Sequence, residues 1–129
     1  INMRKFLKSR IQSFGHALSG LWHVIRTQQN AWLHALMSVS VFWVGVWLKL
    51  NRLEWVMLIL VIAGVWAAEF FNTALEVVVD LATQEQHPLA KVGKDVGAAA
   101  VLIAAVAAAI VGILILGPPL YDKIIQIIN

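Results

Sequence analysis

Residues 66–80 read WAAEFFNTALEVVVD. The stretch continues one of the most hydrophobic segments of the chain, yet it carries Glu69, Asn72, Glu76 and Asp80. Each residue of an α-helix advances about 100°. With Glu69 at the origin, Asn72, Glu76 and Asp80 fall at about 300°, about 340° and about 20°, so the four share one face. A carboxylate at membrane depth costs at least a few kcal/mol and marks a functional position. Three carboxylates and an amide on one stripe suit a cation or charged chemistry. The plainer alternative is a helix emerging into water, with Glu76 and Asp80 merely solvated. Glu69, flanked by Trp66, Phe70 and Phe71, fits that alternative least.

The composition sets the surroundings of this stripe. Of 129 residues, 60% are hydrophobic and 13% charged, and the mean hydropathy is +0.80. Soluble domains run at roughly half apolar and a quarter charged, so an integral membrane protein is expected. The length suits one domain, residues 1–129. With no cysteine, a disulfide framework and a thiolate metal site are excluded. Six tryptophans, several near expected helix ends, fit an aromatic belt. The first twenty residues lack the apolar core and cleavage site of a secretory signal. Met3 is a candidate initiator, which would make Ile1 and Asn2 additions.

Upstream, residues 3–27 place Phe6, Leu7, Ile11, Phe14, Leu18, Leu21, Trp22 and Ile25 at three- and four-residue spacing. Arg4, Lys5, Lys8, Arg10 and Arg26 add positive charge and no residue adds negative charge. The pattern predicts a basic amphipathic helix in the membrane interface, bent near Gly15 or Gly20. A nucleic-acid-binding arm ranks below it, because the apolar face is complete and a membrane span follows; no nucleic-acid partner is expected. Residues 31–50 have the length of a first span, with Lys49 placed to snorkel. A short polar link, 51–54, leads to a second span over 55–80. At about 39 Å this helix exceeds a hydrocarbon core of roughly 30 Å, which puts Glu76 and Asp80 near the interface.

Residues 83–93 form the one sizeable polar loop, and Pro88 disfavours helix at His87. Lys94 and Asp95 open a third span, 96–116, rich in small residues that permit close helix contact. Gly117, Pro118 and Pro119 are expected to end it. Together the N-terminal arm and residues 83–94 hold seven of the ten Lys/Arg. The positive-inside rule then places the N-terminus and the loop in the cytoplasm. The expected architecture is all-α: three transmembrane helices preceded by an interfacial amphipathic helix.

The cytoplasmic ends of spans two and three would gather Glu69, Asn72, Glu76, Asp80, Glu85, His87, Lys94 and Asp95. Carboxylates suit a hard cation such as Mg²⁺, which keeps waters and binds through one or two carboxylates plus phosphates. Lysine suits phosphate as a point charge. A semi-buried glutamate can take a proton from a hydroxyl. Metal, positive charge and base are the components of phosphoryl transfer. No Walker A sequence is present, since AKVGKDVG (90–97) lacks the first glycine and the Ser/Thr, and no GxGxxG occurs. On the residues alone, a proton- or cation-coupled carrier and an inactive membrane scaffold stay open.

The segment AEFFNTALEVVVDLATQEQHPLAKVGKDVGAAAVLIA (68–104) resembles the signature of the small bacterial integral-membrane lipid kinases, the diacylglycerol kinase and undecaprenol kinase family. The pattern AExxNTAxE, then D, then E-x-H-x-x-A-K-x-x-K-D and small residues is long and specific. The three-span layout and amphipathic arm are similar too. The resemblance implies a homotrimer in the inner membrane with active sites between protomers at the cytoplasmic face. It also implies transfer of the ATP γ-phosphate to a lipid alcohol, diacylglycerol or undecaprenol, with Mg²⁺. By the same resemblance, Glu69 matches the general base, Asn72 a polar residue beside it, and Glu76 the metal-binding glutamate. Glu85 and His87 match the nucleotide-contacting loop, and Lys94 and Asp95 the pair at the phosphates. Asn30 and His34 fit the pattern near the lipid, and Arg10 and His16 are candidate nucleotide contacts. One position departs: the family's second metal glutamate is Gln28 here, within TQQNAWLHA (27–35).

Overall fold

The computed structural model describes residues 2–129, so Ile1 lies outside the described residues. Four helices follow in order, α1 (Met3–Thr27), α2 (Gln29–Leu48), α3 (Arg52–Ala82) and α4 (Pro88–Ile128). No strand occurs among the described residues, and α2, α3 and α4 are each long and apolar enough to cross a membrane. The chain is thus all-α, with the amphipathic helix first, as its periodicity predicts.

Local chemistry fixes each helix end. Asn2 caps α1 by accepting from the Arg4 N–H at 3.2 Å. Helix α1 runs unbroken through Gly15 and Gly20, and Val24 is its one buried residue. A single extended residue, Gln28, joins it to α2. Lys49 closes α2 in the left-handed region at φ 55°, and the Leu50 N–H returns to the Gly45 carbonyl at 3.2 Å. Gly45 leaves room for Trp55, whose Cη2 would lie 2.7 Å from a Cβ there. Asn51 and Glu54 form a reciprocal capping box at the start of α3, at 3.0 and 2.8 Å.

Pro88 opens α4, with His87 Nδ1 accepting from the Leu89 N–H at 3.1 Å. The polar loop is therefore shorter than expected, and Lys94 and Asp95 sit inside α4 rather than at its start. Nor does α4 stop at Pro118 and Pro119; both lie within it. Gly117 has no Cβ to clash with the ring of Pro118. In apolar surroundings a break would strand more backbone groups than the two hydrogen bonds that the prolines remove. At roughly 46 Å and 61 Å, α3 and α4 both outreach a hydrocarbon core.

Helices α3 and α4 make the most extensive contact in the chain. Leu58 and Val65 of α3 and Val101 and Ile115 of α4 are buried there. Gly97 allows the closest approach, because a Cβ on it would collide with Asn72 Oδ1 and come within 3.0 Å of Leu75 Cδ2. Large apolar side chains such as Phe71, Leu81, Leu102 and Ile113 remain exposed. An apolar exterior of this extent belongs against lipid or further protein.

Candidate active site

The polar stripe of α3 passes from fully buried to exposed. Glu69 is 1% exposed and Asn72 9%, Glu76 is half-buried, and Asp80 is exposed. The Asn72 Nδ2–H donates to Glu76 Oε1 at 3.1 Å. The Thr73 hydroxyl donates to the Glu69 carbonyl at 2.9 Å, which removes the hydroxyl from the site. Asn72 thus holds Glu76 in place, and its own Oδ1, packed against Gly97, has no partner.

From α2, His34 approaches the buried carboxylate. Its Nε2 lies 3.5 Å from Glu69 Oε2. Neither atom has a hydrogen-bond partner within the chain. The pair is held from both sides. The Trp66 ring meets the His34 ring edge-on with centroids 6.1 Å apart. The Trp66 Nε1–H donates to Ser38 Oγ at 3.1 Å, and the Ser38 hydroxyl donates to the His34 carbonyl at 2.7 Å. A buried carboxylate with an unpartnered oxygen, beside an unpartnered imidazole nitrogen, can accept a proton from a hydroxyl brought within reach of both.

Two cavities flank the stripe. One, of about 500 Å³, is an apolar groove between α2, α3 and α4 that runs from His34 and Trp66 toward Leu120. The other, of about 930 Å³, lies at the α3–α4 turn, lined by Asp80, Thr83 to Pro88, Lys91, Lys94 and Asp95 among others. That volume is in the range of a small-molecule site. In it Lys94 Nζ pairs with Asp80 Oδ1 at 2.6 Å, and Lys91 pairs with Asp95. Lys94 precedes the apolar stretch of α4. The hydrogen bond that its ammonium donates to Asp80 raises the Lys94 pKa above the usual lysine range, burial opposes this, and the charges of Asp80 and Glu76 add to the rise. A lysine so placed stays charged. Along α3 the Asp80 level lies about 16 Å beyond Glu69, with Glu76 between.

The predicted site residues therefore fall into three sets. Glu69, Asn72 and Glu76 share the α3 stripe, with His34 beside Glu69. Glu85, His87, Lys94 and Asp95 line the polar cavity. Arg10 and His16 sit on the exposed face of α1, where the Arg10 guanidinium lies over the Phe6 ring at 5.5 Å, and neither lines a described cavity. Asn30 is exposed at the start of α2, and Gln28 is half-buried at the α1–α2 joint without a side-chain cap bond. Among the described residues, no three His, Asp or Glu side chains converge as a metal cluster. Ser38 escaped the sequence reading, and Trp66 entered it only as a neighbour of Glu69. For Ser38 and Trp66 the available signal was position: Ser38 follows His34 by four residues, and Trp66 precedes Glu69 by three, so each shares its helix face.

The sequence model of the family described as prokaryotic diacylglycerol kinase matches residues 15–116. An undecaprenol kinase of Bacillus subtilis is 41% identical over 117 residues, covering 91% of this chain and 95% of that protein. A diacylglycerol kinase of Synechocystis is 41% identical over 114 residues, covering 88% of this chain and 65% of that protein. A diacylglycerol kinase of Escherichia coli is 40% identical over 67 residues, covering 52% of this chain and 55% of that protein. The match takes in α2, α3, the polar turn and the apolar stretch of α4 together, and the chain belongs to the prokaryotic diacylglycerol kinase family.

Proposed function

We propose that the chain is a membrane lipid kinase that transfers the γ-phosphate of ATP to the hydroxyl of a lipid alcohol, undecaprenol or diacylglycerol. The observation that carries this reading is the buried Glu69 carboxylate, with one oxygen open toward His34 at the head of an apolar groove. A lipid hydroxyl entering from the groove donates to Glu69 Oε2 and accepts from His34 Nε2. As its oxygen bonds to the γ-phosphorus, its proton passes to Glu69. The bond from phosphorus to the bridging oxygen breaks, and its electron pair leaves with ADP.

The polar cavity at the α3–α4 turn takes the nucleotide. Lys94 meets the phosphates, while Asp95, Glu85 and His87 contact the rest; Arg10 and His16, which line no cavity of this chain, would contribute only from the arm of a second protomer. The Lys94–Asp80 pair is largely exposed, with side-chain exposures of 41% and 64%. Such pairs contribute about 0–1 kcal/mol, so phosphate displaces Asp80 at little cost.

The oxygen donors present suit Mg²⁺. Glu76 offers a half-buried carboxylate fixed by Asn72, and Gln28 offers an amide oxygen. The lack of a three-residue cluster among the described residues is compatible with an ion that takes its other ligands from phosphate and water. When bound, Mg²⁺ would neutralise charge on the transferring phosphate. The exposed apolar faces and the distance along α3 between Glu69 and the polar cavity favour a homotrimer whose site is completed between protomers. The charge distribution favours the inner membrane with the N-terminus and site cytoplasmic.

The test is lipid phosphorylation by the purified chain in detergent. γ-Labelled Mg-ATP is offered with undecaprenol, with diacylglycerol and without lipid. Label in a lipid supports the reading. Folded protein that labels neither, but carries protons or cations down a gradient, would replace it with a carrier.

A further inference from the structure

The apolar groove carries information about the acceptor beyond the presence of a hydroxyl. Its walls come from α2, α3 and α4, and Ala105, Ala108 and Gly112 keep the α4 wall shallow. Among its lining side chains, N–H or O–H donors belong to His34, Ser38 and Trp66 alone. His34 stands at the head of the groove with its Nε2 toward Glu69. The other two are spent. The Trp66 Nε1–H is given to Ser38 Oγ at 3.1 Å, and the Ser38 O–H to the His34 carbonyl at 2.7 Å. Below the head, the groove presents hydrocarbon and no free donor.

We propose that the closed Ser38–Trp66 pair makes the groove select a single-chain, ester-free lipid alcohol of the polyprenol type over a diacylglycerol; the proposal rests on the lipid-kinase reading of Glu69. A diacylglycerol carries an ester on the carbon next to its free hydroxymethyl group. With that hydroxyl held at Glu69 and His34, the ester carbonyl lies about one helical turn down the groove, at the level of Ser38. There it would lose its water and find no donor, and an unpaired carbonyl in an apolar site is costly. A polyprenol brings only hydrocarbon to the same level, so nothing is left unpaired. Discrimination of this kind comes from the penalty on the wrong ligand.

The experiment measures kcat/KM for undecaprenol and for a dioleoylglycerol, in the same detergent micelles with Mg-ATP, on the full-length chain. The wild-type chain should favour undecaprenol. Ser38→Ala frees the Trp66 N–H for an ester carbonyl, and should raise the diacylglycerol-to-undecaprenol ratio about tenfold, the size of one hydrogen bond. The double variant Ser38→Ala/Trp66→Phe removes that donor and should return the ratio to the wild-type value. Because each ratio is internal to one preparation, a general loss of folded protein does not move it. Equal use of both lipids by the wild-type chain overturns the proposal. So does a ratio that Ser38→Ala leaves unchanged, which is also the outcome if a second copy of the chain fills the groove. Label in both lipids without a shift removes this proposal only; label in neither removes the kinase reading with it.

Discussion

Glu69 Oε2 and His34 Nε2 face each other across 3.5 Å, and neither is hydrogen-bonded within the chain. Buried polar atoms are almost always satisfied, so two open ones in register mark a place for a third group. A hydroxyl can donate to the carboxylate and accept from the imidazole at once.

The first prediction concerns that pair. Glu69→Gln keeps the shape but removes the proton acceptor, and general-base loss is worth about a hundredfold or more. Turnover of either lipid should fall by at least that factor, while helicity by circular dichroism stays as in the wild type. Unimpaired turnover in folded Glu69→Gln would dismiss Glu69 as the base. His34→Ala should raise KM for the lipid more than it lowers kcat, since in the proposed site His34 would hold the hydroxyl without taking its proton.

A second prediction follows from the contact of α3 with α4. Alanine at Gly97 would drive a methyl into Asn72 Oδ1 and crowd Leu75. Overpacking typically costs about 1–3 kcal/mol, and here it also displaces the amide that fixes Glu76. Gly97→Ala should lower both thermal stability and kcat. Gly64→Ala is the control, since nothing lies within 4 Å of a Cβ there, and it should stabilise slightly through helix propensity. If the two variants unfold alike, the tight packing at Gly97 is refuted.

The sequence showed the helices and the stripe because both rest on local periodicity. Glu69, Asn72, Glu76 and Asp80 share a face by spacing alone, and the fall-off in burial along them follows from the length of α3. Two local signals were outweighed. Gly117, Pro118 and Pro119 read as a stop, yet α4 continues through them, since apolar surroundings penalise a broken helix more than two missing bonds. NRLE reads as a link, yet its Asn51 and Glu54 are the capping box of α3. The pairing of Trp66 with Ser38 spans 28 positions, a tertiary relationship that no local pattern encodes.

The third prediction separates the two charges at the polar turn. Lys94 is held by Asp80, and both side chains are substantially exposed. Lys94→Met removes the charge proposed to meet the phosphates and should raise KM for ATP at least tenfold, about the effect of losing one charge-assisted hydrogen bond. Asp80→Asn frees the same ammonium and should lower KM for ATP. Steady-state kinetics at saturating lipid decides it. A rise in KM for both variants would show that Asp80 serves the nucleotide directly and does not compete with it.

The last prediction concerns Gln28, at the position where the resemblance leads one to expect a glutamate. Gln28 is the single extended residue between α1 and α2, half-buried and without a side-chain cap bond. An amide oxygen is a weaker ligand for a hard cation than a carboxylate. Gln28→Glu should therefore lower the Mg²⁺ concentration for half-maximal rate several-fold. The same substitution puts a negative charge at the N-terminus of α2, which is favourable by about 0.3–1 kcal/mol whether or not a metal binds there. A gain in thermal stability is thus no support. The deciding measurement is binding of Mn²⁺ by electron paramagnetic resonance, with and without nucleotide, beside the Mg²⁺ dependence of the rate. If both stay at wild-type values while stability rises, Gln28 serves the joint between the helices and not the metal.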